Sequence, residues 1–125
     1  MKSNIRMLIA AILVVAVDSF YLKMVKGHWE NQVKSVQKSA MQINLTGAAL
    51  SYIFIIFALN YFILRKNASV GDAFLLGLAI YGIFEFTNMA IFKEWQLYTV
   101  ITDTLWGGAL FAIVTYLTYL LEKII

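Results

Sequence analysis

Residues 70–92 read VGDAFLLGLAIYGIFEFTNMAIF, and this 23-residue stretch decides the class of the protein. It is long enough for a helix to cross about 30 Å of hydrocarbon, which takes about 20 residues. Three further apolar stretches meet the same requirement, at 5–25, 43–64 and 98–121. None alternates apolar and polar residues as barrel strands do, and a helix satisfies its own backbone groups in lipid. The sequence therefore predicts an all-α membrane protein, a bundle of four spans.

The composition of the whole chain excludes most other classes. Of the 125 residues, 62% are hydrophobic and 14% are charged, against about 45–50% and about 25% in soluble domains. A disordered chain needs the opposite balance, and a small soluble domain has too much surface to hide so much apolar side chain. Cysteine and proline are absent, which excludes disulfides, thiolate sites and proline kinks. The net charge of +3 predicts lipid headgroups, not nucleic acid, as the partner of the basic residues.

The connections between the spans indicate a single domain over 1–125. Five residues separate the second span from the third (65–69) and the third from the fourth (93–97), so these helices are predicted to be antiparallel neighbours. Ser69 is the predicted N-cap of the third helix. An even number of spans puts both termini on one side of the membrane, called side A, and the opposite side is side B. Five basic residues fall on each side, so the sequence does not set the orientation.

The connection between the first and second spans is longer, and it contains a predicted amphipathic helix at 28–41. Apolar side chains recur at helical spacing on one face: Trp29, Val33, Val36 and Ala40. We expect this segment to be an interfacial helix that lies in the headgroup plane with its apolar face down. A soluble helix that caps the bundle is the alternative. His28, the one histidine of the chain, is expected to be a surface residue of this connection.

Three acidic residues lie inside the apolar spans, and they are the most informative feature of the sequence. Asp18 and Glu85 each lie seven residues before the side-B end of their span, and Asp103 lies seven after residue 96. At 1.5 Å per residue, all three are predicted about 10 Å below the side-B surface. A charge at membrane depth costs about 2.5–3.5 kcal/mol on insertion scales. The three acids must therefore face inward, share protons or meet a cation, and no basic residue lies among them.

Neighbours at helical spacing predict a polar pocket around these acids. Tyr81 and Asn88 share a face of the third helix with Glu85, and Gly77 on that face permits close approach of another helix. An aromatic residue follows each of the other two acids by three positions: Tyr21 follows Asp18, and Trp106 follows Asp103. The predicted proton- or ligand-binding site comprises Asp18, Tyr81, Glu85, Asn88, Asp103 and Trp106.

Other aromatic residues near the helix ends are expected to anchor the protein at the lipid–water boundary. These predicted anchors are Tyr52, Tyr61, Trp95, Tyr98, Tyr116 and Tyr119. They are ordinary features of a membrane protein and do not indicate a function.

Two functions stay open for the acidic pocket. In the first, the acids bind or move a proton, a cation or a small solute, and the chain forms a homo-oligomer because four helices make a thin wall for a pore. In the second, they hold helices together in a structural protein, an accessory subunit of a larger membrane complex or an envelope component. Three carboxylates could also hold a hard cation such as Mg²⁺ or Ca²⁺, but the sequence sets no ligand geometry.

The sequence lacks the catalytic motifs that would indicate an enzyme. The sequence has no nucleophile elbow, P-loop or dinucleotide fingerprint, and no cofactor is expected. Ser19 and Thr102 lie beside acids, but no base is placed to activate them. A lipid-modifying enzyme is therefore the least supported hypothesis.

The third and fourth spans resemble a known family. Residues 81–90 read YGIFEFTNMA, and after Trp95 residues 103–107 read DTLWG. This pattern resembles the small predicted membrane proteins of domain of unknown function 2177 (DUF2177), with Tyr-Gly-x-Tyr-Asp-Leu-Thr-Asn in the third span and Asp-x-x-Trp-Gly in the fourth. Phe84 and Glu85 stand where that family has Tyr-Asp. The resemblance extends to the four-span layout and implies a shared acidic cluster, but it implies no activity.

Overall fold

The structure is a computed structural model that describes residues 2–125, with side chains from Asn4 onward. It contains four helices: α1 (Lys2–Gln37), α2 (Leu45–Leu59), α3 (Val70–Ile91) and α4 (Leu97–Ile124). A π-helical turn at Asn60–Leu64 continues α2. The described part of the chain contains no strand, and all four helices, α2 together with its π turn, are long and apolar enough to cross a membrane. The predicted all-α class with four spans is confirmed.

Local hydrogen bonds define where the helices begin. Asn44 caps α2, since its Oδ1 accepts from the backbone N–H of Gly47 at 3.0 Å. Ser69 caps α3 in the same way, with Oγ 3.0 Å from the backbone nitrogen of Asp72, so this predicted N-cap is confirmed. Such caps satisfy N–H groups that have no partner in the first helical turn. Lys38 follows the end of α1 with a φ of 64°, the left-handed conformation common after a helix.

The expected separate helix at 28–41 is corrected, because residues 28–37 continue α1 without a break. A helix of 36 residues is about 54 Å long, which exceeds the roughly 30 Å of hydrocarbon. The sequence contains no proline to interrupt it, and an isolated glycine such as Gly27 lowers helix stability by only about 1 kcal/mol. Gln32 holds the extension against the α3–α4 loop, where its Nε2 donates to the carbonyl of Glu94 at 2.9 Å. A position at the headgroup level stays a prediction.

Glycines make the contact between α3 and α4. A methyl group on Gly77 would collide with the carbonyl of Gly107, and one on Gly107 would collide with the ring of Tyr81. A methyl group on Gly108 would meet the ring of Phe74. The predicted close approach at Gly77 is therefore confirmed, and small residues allow it as in other membrane helix pairs. The contact fixes the register of the two helices and of the acids they carry.

The apolar core fills the half of the bundle nearest the chain termini. Its fully buried large side chains come from α1, α2 with its π turn, and α4: Val14, Leu59, Leu64, Leu110, Phe111 and Val114. Arg6 near the start of α1 pairs with Glu122 near the end of α4, with nitrogen and oxygen 2.8 Å apart. The start of α1 and the end of α4 thus lie at the same end of the bundle, side A.

The outer surface of the bundle is strongly apolar. Phe20, Phe54 and Ile83 are 67%, 69% and 71% exposed, and many other large apolar side chains are exposed with them. Soluble monomers rarely expose contiguous apolar patches larger than a few hundred Å². Such a surface is suited to contact with lipid acyl chains.

Candidate functional site

Asp18 of α1 is buried and accepts two hydrogen bonds from other helices. The Tyr52 hydroxyl of α2 donates to Oδ2 at 2.8 Å, and Trp106 Nε1 of α4 donates to Oδ1 at 2.9 Å. Both donors are neutral, so they hold the carboxyl group in place without neutralising its charge. Asp18 therefore ties α1 to both α2 and α4.

Glu85 of α3 is fully buried, yet only one of its oxygens has a protein partner. Trp95 lies in the loop between α3 and α4, and its Nε1 donates to Oε1 at 2.8 Å. Among the described residues, Oε2 has no hydrogen-bond partner. A buried acceptor without a donor costs about 1–3 kcal/mol. Oε2 is thus a place where an additional donor, such as a proton on a neighbouring group or a bound cation, would be stabilising.

Asp103 of α4 completes the acidic group and has no basic partner. Glu85 and Asp18 are both close enough to act on its carboxyl group electrostatically. Asp103, like Asp18, is 7% exposed. Within residues 4–125, the one ion pair joins Arg6 and Glu122 at the other end of the bundle. Three buried acids therefore lie together without a compensating cation.

Aromatic rings hold the indole of Trp106 in place. The ring of Tyr21 stacks on it, with centroids 4.2 Å apart and planes inclined by 5°. The ring of Tyr81 packs on Gly107, the next residue of α4. Stacking restricts the rotation of the indole and so keeps its N–H directed at Asp18.

A lateral cleft of about 1100 Å³ opens beside the acids. α2 lines one side of it, and α1, α3, the α1–α2 connection and Asp103 of α4 line the rest. Most of its lining is apolar, such as Leu22, Phe54 and Phe84. Its ionisable and hydroxyl side chains are Asp18, Lys23, Lys26, Ser51, Tyr52, Tyr81 and Asp103. Drug-sized ligands occupy pockets of about 300–1,000 Å³. Two of the three acids therefore border an apolar space that is large enough for a small organic molecule.

The structure brings five of the six predicted site residues together. These five are Asp18, Tyr81, Glu85, Asp103 and Trp106. The sixth, Asn88, makes no side-chain hydrogen bond to them within the described residues. It lies three residues beyond Glu85 on α3, which places it nearer to the side-B end of that helix.

Two residues expected at the lipid–water boundary instead bind the acids. Tyr52 and Trp95 donate hydrogen bonds to Asp18 and Glu85, so their assignment as ordinary anchors is corrected. Tyr52 lies seven residues into α2, which is the depth of the acids, and this depth is a signal that the sequence contains. No spacing rule predicts that the loop residue Trp95 turns back onto its own preceding helix.

His28 is also placed differently from the expectation. It lies within α1, partly buried, and its Nε2 is 2.7 Å from the hydroxyl oxygen of Thr99 on α4. The expectation of a surface histidine in a connecting segment is therefore corrected. The physical reason is the continuation of α1, which carries this side chain along the start of α4.

Ligand geometry for a metal ion is not evident. Among the described residues, no group of three or more His, Cys, Asp or Glu side chains is arranged to hold a metal. Both oxygens of Asp18 already accept hydrogen bonds. The hypothesis of a hard-cation site therefore gains no support from the positions of the three carboxyl groups.

The comparison with family models agrees with this architecture. A family described as predicted membrane protein (DUF2177) matches residues 4–120. The chain belongs to this family. The match includes all three buried acids, and the resemblance stated from the motifs is confirmed. Together with the four apolar helices, it identifies this DUF2177 protein as an integral, multi-pass membrane protein. No match was found among curated proteins or among solved structures.

Proposed function

We propose that this DUF2177 protein binds an apolar organic cation in its lateral cleft, in exchange for a proton held by the Glu85–Asp103 pair. The observation that carries the proposal is the pair itself, two buried carboxyl groups that act on each other electrostatically and have no ion-pair partner among the described residues. An acidic site with unmet capacity for positive charge, beside an apolar cleft, is complementary to a ligand that is both apolar and cationic.

The hydrogen-bonding chemistry of carboxyl groups supports a proton on the Glu85–Asp103 pair. Two ionised carboxylates are both acceptors, so the Glu85–Asp103 pair can bond only when one of them carries a proton. Two like charges in a buried site also disfavour double ionisation. The pair therefore holds one proton when the cleft is empty, and the unpartnered Oε2 of Glu85 is an acceptor available to it.

The lining of the cleft supports a cation as the ligand. Asp18 and Asp103 supply negative charge, and the rings of Tyr52 and Tyr81 supply aromatic surface beside them. Aromatic faces attract cations, more strongly where water is excluded. Lys23 and Lys26 also line the cleft but are exposed, and their long stems allow the ammonium groups to reach the headgroups. An ammonium or phosphonium group with apolar substituents suits both the walls and the acids.

Movement of such a ligand across the membrane would involve more than one copy of the chain. Four helices enclose only a narrow space, and the side-A half of this bundle is filled by its core. We therefore propose binding as the activity of one chain and transport as a property of a homo-oligomer or larger membrane complex.

The test is equilibrium binding of tetraphenylphosphonium, an apolar cation, to the purified protein in lipid nanodiscs. Because cation and proton compete, binding should be about tenfold tighter at about pH 8 than at about pH 6. The Asp103→Asn and Glu85→Gln variants should bind more weakly and lose this pH dependence.

The matched control is Asp72→Asn, which removes an exposed acid from the first turn of α3 at the other end of the same helix. It should leave binding unchanged. Wild-type protein that fails to bind the cation, or that binds it equally at both pH values, would overturn the proposal. Equal binding by Asp103→Asn would do the same.

A second candidate function is structural, and a specific observation favours it. The hydrogen bonds to Asp18 and Glu85 join all four helices directly or through the α3–α4 loop. If the acids only hold helices together, Glu85→Gln should lower the melting temperature in detergent, with no ligand binding or pH response to lose. A Glu85→Gln protein that melts like the wild type and has lost its cation binding decides against this candidate.

A further inference from the structure

A small cavity lies between α1 and α4 on the side-B flank of the acids, apart from the large cleft. Its volume is about 30 Å³. About 10–15 Å³ on this measure suffices for one water molecule, so the cavity has room for about two. Its polar lining includes His28, Thr99, Thr102 and Asp103. The polar groups in its wall are potential hydrogen-bond partners for water in so small a space.

The hydrogen bonds around His28 specify which ring nitrogen carries a proton. Gln32 has a fixed amide orientation, because its Nε2 donates to the carbonyl of Glu94 at 2.9 Å and its Oε1 accepts from the backbone N–H of Gln96 at 3.1 Å. The Thr99 hydroxyl donates to the same Oε1 at 2.6 Å. A hydroxyl has one proton, so Thr99 can only accept from His28 Nε2 at 2.7 Å. His28 Nε2 is therefore a donor, and within the described residues Nδ1 makes no hydrogen bond to a protein group.

The spacing along α4 connects this histidine to the acids. Thr99 and Asp103 are four residues apart, which puts them one turn apart on the same helix face, about 6 Å along the axis. One or two water molecules span such a distance. Asp103 lines both the small cavity and the large cleft, so it is the acid that both spaces share.

We propose that His28 relays protons between the side-B surface and Asp103 through this cavity. The inference rests on the proposed protonation of the Glu85–Asp103 pair and adds the route by which the proton arrives. The titratable groups that face His28 are Tyr98, whose ring lies edge-on at 5.1 Å, and Tyr21 and Asp103 across the cavity. Histidine suits the role because its ordinary pKa lies near neutral pH, and positioned proton donors accelerate transfer.

The test is a rapid pH jump on the nanodisc-embedded protein, followed by the infrared C=O stretch of protonated carboxyl groups. The band is assigned to the pair by its change in Glu85→Gln and Asp103→Asn. In His28→Gln, the rate of protonation should fall at least about tenfold, while the final amplitude stays the same, and added imidazole should restore the rate. Glu30→Gln, an exposed neighbour on α1, is the matched control and should protonate at the wild-type rate.

Each outcome decides a different point. Equal rates in His28→Gln and wild type overturn the relay but leave the proposed proton–cation exchange intact. A wild-type protein whose carboxyl band does not respond to pH overturns both. If His28→Gln does not fold, diethylpyrocarbonate can modify the single histidine of the wild type. Slower protonation that hydroxylamine reverses would support the relay, and an unchanged rate after modification would overturn it.

Discussion

Two acidic sites lie at opposite ends of this bundle, and they differ in whether the acid forms an ion pair with a basic side chain. At side A, Glu122 accepts two hydrogen bonds from the guanidinium of Arg6, each of 3.0 Å. Towards side B, Glu85 and Asp103 are buried and form no ion pair with any described residue. Both sites connect several helices. The comparison separates a site whose charges are already matched from one that can still take up positive charge.

The side-A site closes its end of the bundle. Besides Glu122, Arg6 Nη1 binds the carbonyl of Leu64 at 2.5 Å and the side chain of Asn67 at 2.8 Å. Leu64 ends the π turn, and its carbonyl accepts from the backbone N–H of Asn67 as well as from Arg6. Its guanidinium also lies 5.2 Å from the centre of the Tyr119 ring. One basic side chain thus holds α1, the end of α2 and α4 together.

The largest expected effect on stability comes from disrupting the glycine contact between α3 and α4, which lies between the two sites. Gly77→Ala should lower the free energy of unfolding by about 3 kcal/mol, because the new methyl group meets the Gly107 backbone and cannot be accommodated by side-chain rotation. Gly27→Ala is the matched control, since nothing lies within 4 Å of its added methyl group. The control should be neutral or more stable by up to about 1 kcal/mol. Thermal unfolding in detergent measures both, and equal melting temperatures would contradict the close helix contact.

Removing the base at side A should have the next largest effect. Arg6→Gln leaves Glu122 and the Leu64 carbonyl without their charged donor, and we expect a loss of about 2 kcal/mol. Arg65→Gln is the control, since Arg65 is exposed and its guanidinium lies over the ring of Tyr61. Denaturant unfolding of the two variants compares them directly. An Arg6→Gln protein as stable as Arg65→Gln would show that the side-A site does not hold the helices.

A smaller loss is expected when a neutral donor to the acids is removed. Tyr52→Phe keeps the ring but deletes the hydroxyl that binds Asp18, which should cost about 1 kcal/mol. Tyr61→Phe, on an exposed ring of the π turn, should change the melting temperature by less. If both variants melt alike, the hydrogen bond from Tyr52 does not contribute to stability.

The smallest expected effect on stability is that of Glu85→Gln. The glutamine amide occupies the same volume and can donate to Asp103, so it replaces the proton that the pair would share. We expect a change within about 0.5 kcal/mol, against about 2 kcal/mol for Arg6→Gln. A large loss on Glu85→Gln would remove the contrast between the two sites and favour a structural role for both.

The depth of the acids could be predicted from the sequence because the spans have a fixed rise per residue. Asp18, Glu85 and Asp103 lie at equal distances from the ends of their apolar runs, and the structure places them together. Glu85 faces α4 because α3 packs against α4 through its glycines. The sequence indicates this face, since Gly77 and Glu85 lie on the same side of the helix. These predictions succeed because a bilayer leaves helices few alternative arrangements.

Other parts of the site could not be predicted, for physical reasons that differ from residue to residue. The bond from Trp95 depends on the path of a short loop, which periodicity does not describe. The connection after the first span lacks a strong helix breaker, so its amphipathic pattern could not distinguish a separate helix from an extension of α1. The position of His28 follows from that extension, and the lateral cleft depends on the placement of α2, which no local signal specifies.

The most direct test of the central claim is the number of protons released when the cation binds. Titration calorimetry of tetraphenylphosphonium into the nanodisc-embedded protein, in buffers of different ionisation enthalpy, gives this number. We predict a release of about one proton per bound cation in the wild type, and none in Asp103→Asn. Binding without proton release by the wild type would contradict the exchange and leave the buried acids as a structural feature.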